Sequence, residues 1–205
     1  MLRKWTRAKF PDIEPLVVAV PVYRNIQACF VVKASSPAKS LADLKGGKVA
    51  IPRSSKDHVR LYFDKLQGGE PAEGAACEVV TPSVTDEALE CVLEGTADCA
   101  FVDASAFAAF EDNKPGRAKQ LKTLSESDPF PPGIIAFKKG GIDAATLKKC
   151  REGLLKSETD VTASVILRMM KLKGFDVVPS NIDDVLKKSI DNYPAPVVEP
   201  TGFKP

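Results

Sequence analysis

An α/β fold is the architecture this sequence predicts, and three observations carry it. Short Val-rich apolar runs recur along the chain, as in Leu16–Val22 (LVVAVPV), Ala28–Lys33 (ACFVVK) and Asp98–Asp103 (DCAFVD), and read as buried strands. Between them lie segments whose apolar residues fall on one helical face, such as Val59, Tyr62, Phe63 and Leu66, at i, i+3, i+4, i+7. Strand and helix alternate through the middle third, which argues for a sheet of parallel strands there.

In chain order, the strand at 16–22 and the strand at 28–33 are separated by a polar break, Tyr23-Arg24-Asn25. Ser40–Gly47 predicts a short helix, with Ser40 as its N-cap and a glycine stop. Lys48–Pro52 is a buried strand that turns through Arg53-Ser54-Ser55-Lys56 into the helix carrying Val59. Cys77–Thr81 is a strand and Asp86–Glu94 a helix ended by Gly95. Asp98–Asp103 is a strand followed by the helix Ala104–Glu111. Leu121–Leu124 and Ile134–Phe137 complete the predicted strands. Helices follow over 143–155, 161–172 and 181–192, and the proline-bearing tail from Pro194 is expected to lie extended or disordered.

The 205 residues suffice for one large domain or two small lobes with a real core. Lys and Arg number 29 against 27 Asp and Glu, a net charge of +2. That balance excludes the electrostatic footprint of a nucleic-acid or anionic-membrane binder, so no nucleic-acid partner is expected. No apolar run approaches the roughly 18 residues of a membrane span. Met1–Trp5 has no apolar stretch behind it and is not expected to be a signal peptide, which leaves a cytoplasmic chain or an export signal further upstream.

Five cysteines occur without a CxxC pair, and Cys29 and Cys99 sit in apolar runs; all are expected to act as small packing residues. With one histidine and no zinc-type spacing, no metal is expected. No G-x-S-x-G, P-loop or G-x-G-x-x-G is present, so no cofactor and no catalytic residue are expected.

Several segments, in order, carry a family resemblance. Ser40-Leu41-Ala42-Asp43-Leu44-Lys45-Gly46 leads directly to Lys48-Val49-Ala50. The Ser54-Ser55 turn follows. Leu93-Glu94-Gly95-Thr96-Ala97-Asp98-Cys99-Ala100-Phe101-Val102-Asp103 comes next, and Pro131-Pro132-Gly133 precedes Ile134–Phe137. Over about 14–192 the chain resembles the type II periplasmic binding proteins, in particular the phosphate/phosphonate-binding branch of ABC-transporter solute-binding proteins. It lacks that family's opening βαβαβ portion. The resemblance implies a two-lobed, N-terminally incomplete α/β fold with parallel or mixed sheets. One partial lobe would hold 1–37 and 128–205, the other 38–127, with crossovers near Ser35-Ser36-Pro37 and near 127–133. It implies a non-catalytic binder of a small polar or anionic ligand, periplasmic or membrane-associated. A transporter permease is the expected partner, and the incomplete lobe would permit homo-oligomers. An enzyme on the same fold and a regulator's effector domain are the competing readings.

Seven residues are candidates for the ligand. Tyr23 would stack at the mouth of the first crossover, or serve as an ordinary interface aromatic. Ser54 and Ser55 occupy the turn with which the family grips oxyanions; the alternative is a capping box of Ser54 with Asp57. The family's Ser-Thr-Ser-Gly loop is here Ser54-Ser55-Lys56-Asp57, which puts phosphate or phosphonate in question. His58 lies off the apolar face and would turn to the cleft or to solvent. Thr85 and Asp86 open a helix after a strand, and Asp103 ends a strand; each would either reach the ligand or cap its helix. The carboxylates Asp57, Asp86 and Asp103 at one edge favour a ligand with an amine or hydroxyls beside any anionic group.

Overall fold

The computed structural model describes residues 11–22, 26–68 and 77–193, with the side chains of 189 and 190 set aside. They form two compact units. The chain divides between the units after residues 25, 129 and 191.

The smaller unit begins with β1 (Ile13–Pro21). The larger unit follows with β2 (Ala28–Lys33), a 3-10 turn at Leu41–Leu44, β3 (Lys48–Ala50), α1 (Asp57–Leu66), β4 (Glu78–Val80), α2 (Thr85–Glu94) and β5 (Cys99–Asp103). It ends with α3 (Ala104–Asn113), the short α4 (Pro115–Ala118) and β6 (Leu121–Glu126). The chain then returns to the smaller unit with β7 (Ile134–Lys138), α5 (Ala144–Leu155), α6 (Val161–Met169), β8 (Leu172–Asp176) and α7 (Ile182–Asn192).

The larger unit is a five-stranded mixed sheet in the order β4-β3-β5-β2-β6. Strands β4, β3 and β5 run parallel, the arrangement that strand–helix alternation demands. Strand β2 is antiparallel to both β5 and β6. Every residue of β2 but Lys33, and of β5 but Asp103, is buried, because both faces of the sheet are covered. On one face Cys29, Val31, Ala100 and Val102 pack with Ala88, Leu89 and Val92 of α2 and Phe107 and Phe110 of α3. On the other, Phe101 stacks on Phe30 at 4.8 Å and meets Phe63 and Tyr62 of α1 edge-on at 5.0 and 5.8 Å. Strand alternation thus separates an aliphatic layer from an aromatic one.

These pairings correct the expected lobes. Residues 28–33 do not pair with β1; their partners are β5 and β6, so the first division lies at 25/26 and not near Ser35–Pro37. Gln27, Ala28 and Ser127 stitch two of the departing chain segments together. The Gln27 amide donates to the Ser127 carbonyl, the Ala28 N–H to the Ser127 hydroxyl, and the Ser127 N–H to the Ala28 carbonyl, each at 2.9 Å.

The smaller unit is a three-stranded antiparallel sheet, β7-β1-β8. A helix was expected over 161–172, but it ends at Met169. Lys171 takes a left-handed turn (φ 55°), and the chain pairs with β1 as β8. That long-range pairing overrides the local helical pattern. On α6, Val161, Val165, Ile166 and Met169 face solvent. Leu66 and Cys150 also differ from expectation. Leu66 ends its helix and is exposed, and so is Cys150. Cys29, Cys77 and Cys99 are buried. Burial pushes the Cys99 thiol up to about 12, and nearby Cys77 and Asp98 push the same way, so it packs as a hydrophobe.

The aromatic layer sets the first expected outcome. Phe101→Ala removes the ring on which Phe30, Tyr62 and Phe63 converge, and costs about 3–5 kcal/mol in chemical denaturation. A cost comparable to a surface substitution would show that the layer does not carry the sheet.

Candidate functional site

Parallel strands β4, β3 and β5 end on the same edge of the larger unit's sheet, and each delivers the chain to a helix N-terminus there. The turns are laced together. Ile51 N–H donates to the Val80 carbonyl at 3.0 Å, Arg53 N–H to Pro82 at 2.7 Å and Ser54 N–H to Ser83 at 3.3 Å. The ladder between β3 and β4 therefore continues past both strands and holds the Ser54-Ser55 turn beside the start of α2.

The three helices open differently. Asp103 caps α3: its carboxylate accepts the N–H groups of Ser105 at 2.9 Å and Ala106 at 3.1 Å, and the Ser105 hydroxyl. Helices α5 and α6 are capped in the same way by Asp143 and Asp160. At the corresponding position α1 has Lys56 and α2 has Val84, and neither supplies a side-chain hydrogen bond. Lys56 is a donor and Val84 is apolar, so neither can accept from the first-turn N–H groups. The capping box of Ser54 with Asp57 does not form, because Asp57 is already the first helical residue. Ser55 is half-buried. Its hydroxyl oxygen is fully shielded and has no hydrogen-bond partner among the described residues, a costly state for a polar atom.

Of the other predicted residues, Tyr23 lies outside the described residues. Ser54 is exposed in the turn and Thr85 is half-buried at the first position of α2. Asp86 is exposed and pairs with Lys114 at 3.1 Å. Ser83 N–H donates to the Glu87 carboxylate at 2.7 Å, which partly meets the positive end of α2.

His58 is buried and does not turn to solvent. Its side chain is 7% exposed, and its Nε2 stands 3.0 Å from the Asp103 carboxylate, which is itself 14% exposed. This pair links the first turn of α1 to the cap of α3. Burial pushes the Asp103 carboxyl up and is the largest single influence. The neighbouring His58, the Ser105 hydroxyl and the charge of Lys56 together outweigh it and hold the carboxyl well below the usual range. Asp103 is thus committed on both oxygens, and Asp86 is committed to Lys114. Of the three carboxylates expected to attract an amine, Asp57 is left. Among the described residues, no three His, Cys, Asp or Glu side chains cluster to hold a metal ion, and no helix is long and apolar enough to cross a membrane.

The signals the sequence reading passed over are Lys56 and Val84, two residues unable to cap in places where caps are the norm. Both were open to detection by listing cap residues helix by helix. The pairing of His58 with Asp103 was not, since it joins positions far apart in the chain.

Because the native carboxyl of Asp103 is depressed, its stabilisation is complete above about pH 5 and is lost as pH falls below about 3.9 toward the native value. Asp103→Asn keeps a capping side chain but removes the charge, at a cost of about 1–3 kcal/mol at pH 7. The gap between the two proteins in urea unfolding closes on acidification through that window. A gap that stays constant down to pH 3 would show that the charge of Asp103 contributes nothing.

Comparison with known proteins bears on this geometry. The solved structures it resembles include XAC2383 from Xanthomonas citri, in a form bound to ATP (TM-score 0.70, 19% identity, 88% of this chain and 70% of that one). Another is a binding-protein component of an ABC phosphonate transporter, PA3383 from Pseudomonas aeruginosa (0.62, 15%, 88% and 61%). A third is PhnD1 from Prochlorococcus marinus (MIT 9301) in complex with methylphosphonate (0.61, 17%, 91% and 75%). At these identities the likeness is one of fold, that of the two-lobed periplasmic binding proteins, and the chain spans 61% of the PA3383 chain's length. No curated protein sequence matches. The family model for the phosphonate periplasmic substrate-binding proteins of ABC transporters matches residues 7–181, and the chain belongs to that family.

Proposed function

We propose that this protein is a non-catalytic solute receptor that binds a small oxyanion of the phosphonate or phosphate class. The oxyanion sits at the turns opening α1 and α2, and the loaded protein presents it to the permease of an ABC transporter. One observation carries the reading. The buried Ser55 hydroxyl, without a partner among the described residues, lies at the start of a helix whose cap residue, Lys56, cannot accept a hydrogen bond. An oxyanion answers both needs, because it accepts from N–H groups and from a hydroxyl, and it complements the positive end of the helix. Lys56 adds a cation to the same turn.

Family membership supports the solute class, and the methylphosphonate complex of PhnD1 offers a chemical guide. Asp57 is the feature that opposes it. Asp86 and Asp103 oppose it less than their charges suggest, since Lys114 and His58 engage them. A periplasmic location and the permease partner follow from the same family reading. With a net charge of +2, nucleic acid is not part of the proposal.

Methylphosphonate or phosphate at a hundredfold excess over its dissociation constant adds about 2.7 kcal/mol to stability, read as a rise in Tm. Ser55→Ala, which removes the hydroxyl but none of the sheet, loses most of that rise. An equal rise in the variant would move the site elsewhere, and no rise with any oxyanion in the parent would overturn the assignment.

A further inference from the structure

We propose that His58 is the specificity-determining residue of this site. By occupying Asp103 it makes the receptor selective for anions that carry no amine. The inference rests on the function proposed above and concerns which oxyanions that site accepts.

A carboxylate at the end of β5, next to an oxyanion site, is a natural partner for a ligand amine. Here both of its oxygens are engaged. One oxygen accepts the Ser105 and Ala106 N–H groups and the Ser105 hydroxyl. The other faces His58 Nε2 at 3.0 Å. His58 is the chain's only histidine and belongs to the first turn of α1, the turn proposed to hold the oxyanion. An amine approaching Asp103 would have to displace a buried ring. It would also meet Lys56, whose charge acts on the same carboxylate. Bringing a second cation there costs the ligand its ammonium hydration, while the Asp103 charge is already shared with His58 and Lys56. A methyl or other neutral substituent faces no such cost. The alternation of Ser54-Ser55-Lys56-Asp57-His58 thus builds two things into one turn: an oxyanion grip and a block on the neighbouring carboxylate.

Two phosphonates separate the possibilities, since they share the oxyanion and differ in the amine. By isothermal titration calorimetry, the parent protein binds methylphosphonate on the order of tenfold more tightly than 2-aminoethylphosphonate. His58→Gln frees the Asp103 charge, so the ratio falls to about threefold or less through a gain for the amine-bearing ligand. A structural defect alone would weaken both ligands in parallel and leave the ratio unchanged. In His58→Gln/Asp103→Asn the carboxylate is gone but a capping amide remains, and the gain for the amine disappears. This double variant buries no lone charge and stands in should the single variant fail to fold; it must still favour methylphosphonate. Equal affinity of the parent protein for the two ligands, or an unchanged ratio in His58→Gln, would overturn the role of His58 while leaving the proposed function standing. Binding of neither ligand would overturn both.

Discussion

Strand β5 lies between a parallel neighbour, β3, and an antiparallel one, β2, and its residues from Cys99 to Val102 are wholly shielded from solvent. That burial sets the direction of the larger sheet. Because β3 must run parallel to β5, the chain needs helical crossovers, and the crossovers bring successive strand-to-helix turns to one edge. Asp98 begins the strand's anchoring at the opposite end, where its carboxylate accepts the Lys48 N–H at 2.7 Å. Gly47 permits this close approach. A Cβ there would stand 2.6 Å from the Asp98 carboxylate and 2.9 Å from the Leu44 carbonyl. Asp103 ends the strand and receives His58. One buried strand thus spans the sheet from a structural carboxylate to the one that borders the candidate site.

The edge gains its chemical character from an unevenness in capping. A helix N-terminus is ordinarily satisfied by its own sequence, and α3, α5 and α6 follow that rule with aspartates. Helices α1 and α2 depart from it side by side. The shielded Ser55 hydroxyl adds a second unmet requirement at the first of these. Local rules that fail together in one place fit the proposed site, which a ligand would complete. The committed state of Asp103 belongs to the same edge, since it holds α1 against α3 and sets the charge a ligand would meet.

Much of this was legible beforehand. Val-rich runs and the i, i+3, i+4, i+7 spacing located β2, β3, β5 and α1, because burial on both faces of a sheet leaves no polar residue to blur the signal. Gly95, at φ 80°, ended α2 where a glycine stop was expected. What the local pattern could not convey was pairing. Strand β8 was missed: the expected helix ran on to its first residue, Leu172, and 173–176 were left unassigned, since its apolar residues are few and its reason to extend is β1. Residues 28–33 were placed in the wrong lobe for the same reason: their partners, 99–103 and 121–126, are distant in the chain. At the site, Ser54, Ser55, Thr85, Asp86 and Asp103 were named from their positions at strand ends. His58 was named without its partner, and the apparent freedom of Asp86 and Asp103 was an artefact of reading charges one at a time.

Backbone amide NMR during a methylphosphonate titration tests the central claim most directly, because it reports on the N–H groups themselves. The account predicts saturable shifts concentrated at residues 54–58 and 84–86, with the amides of Ser105 and Ala106, already bound to Asp103, moving little. Shifts centred on the three-stranded sheet, or none at saturating ligand, would contradict it.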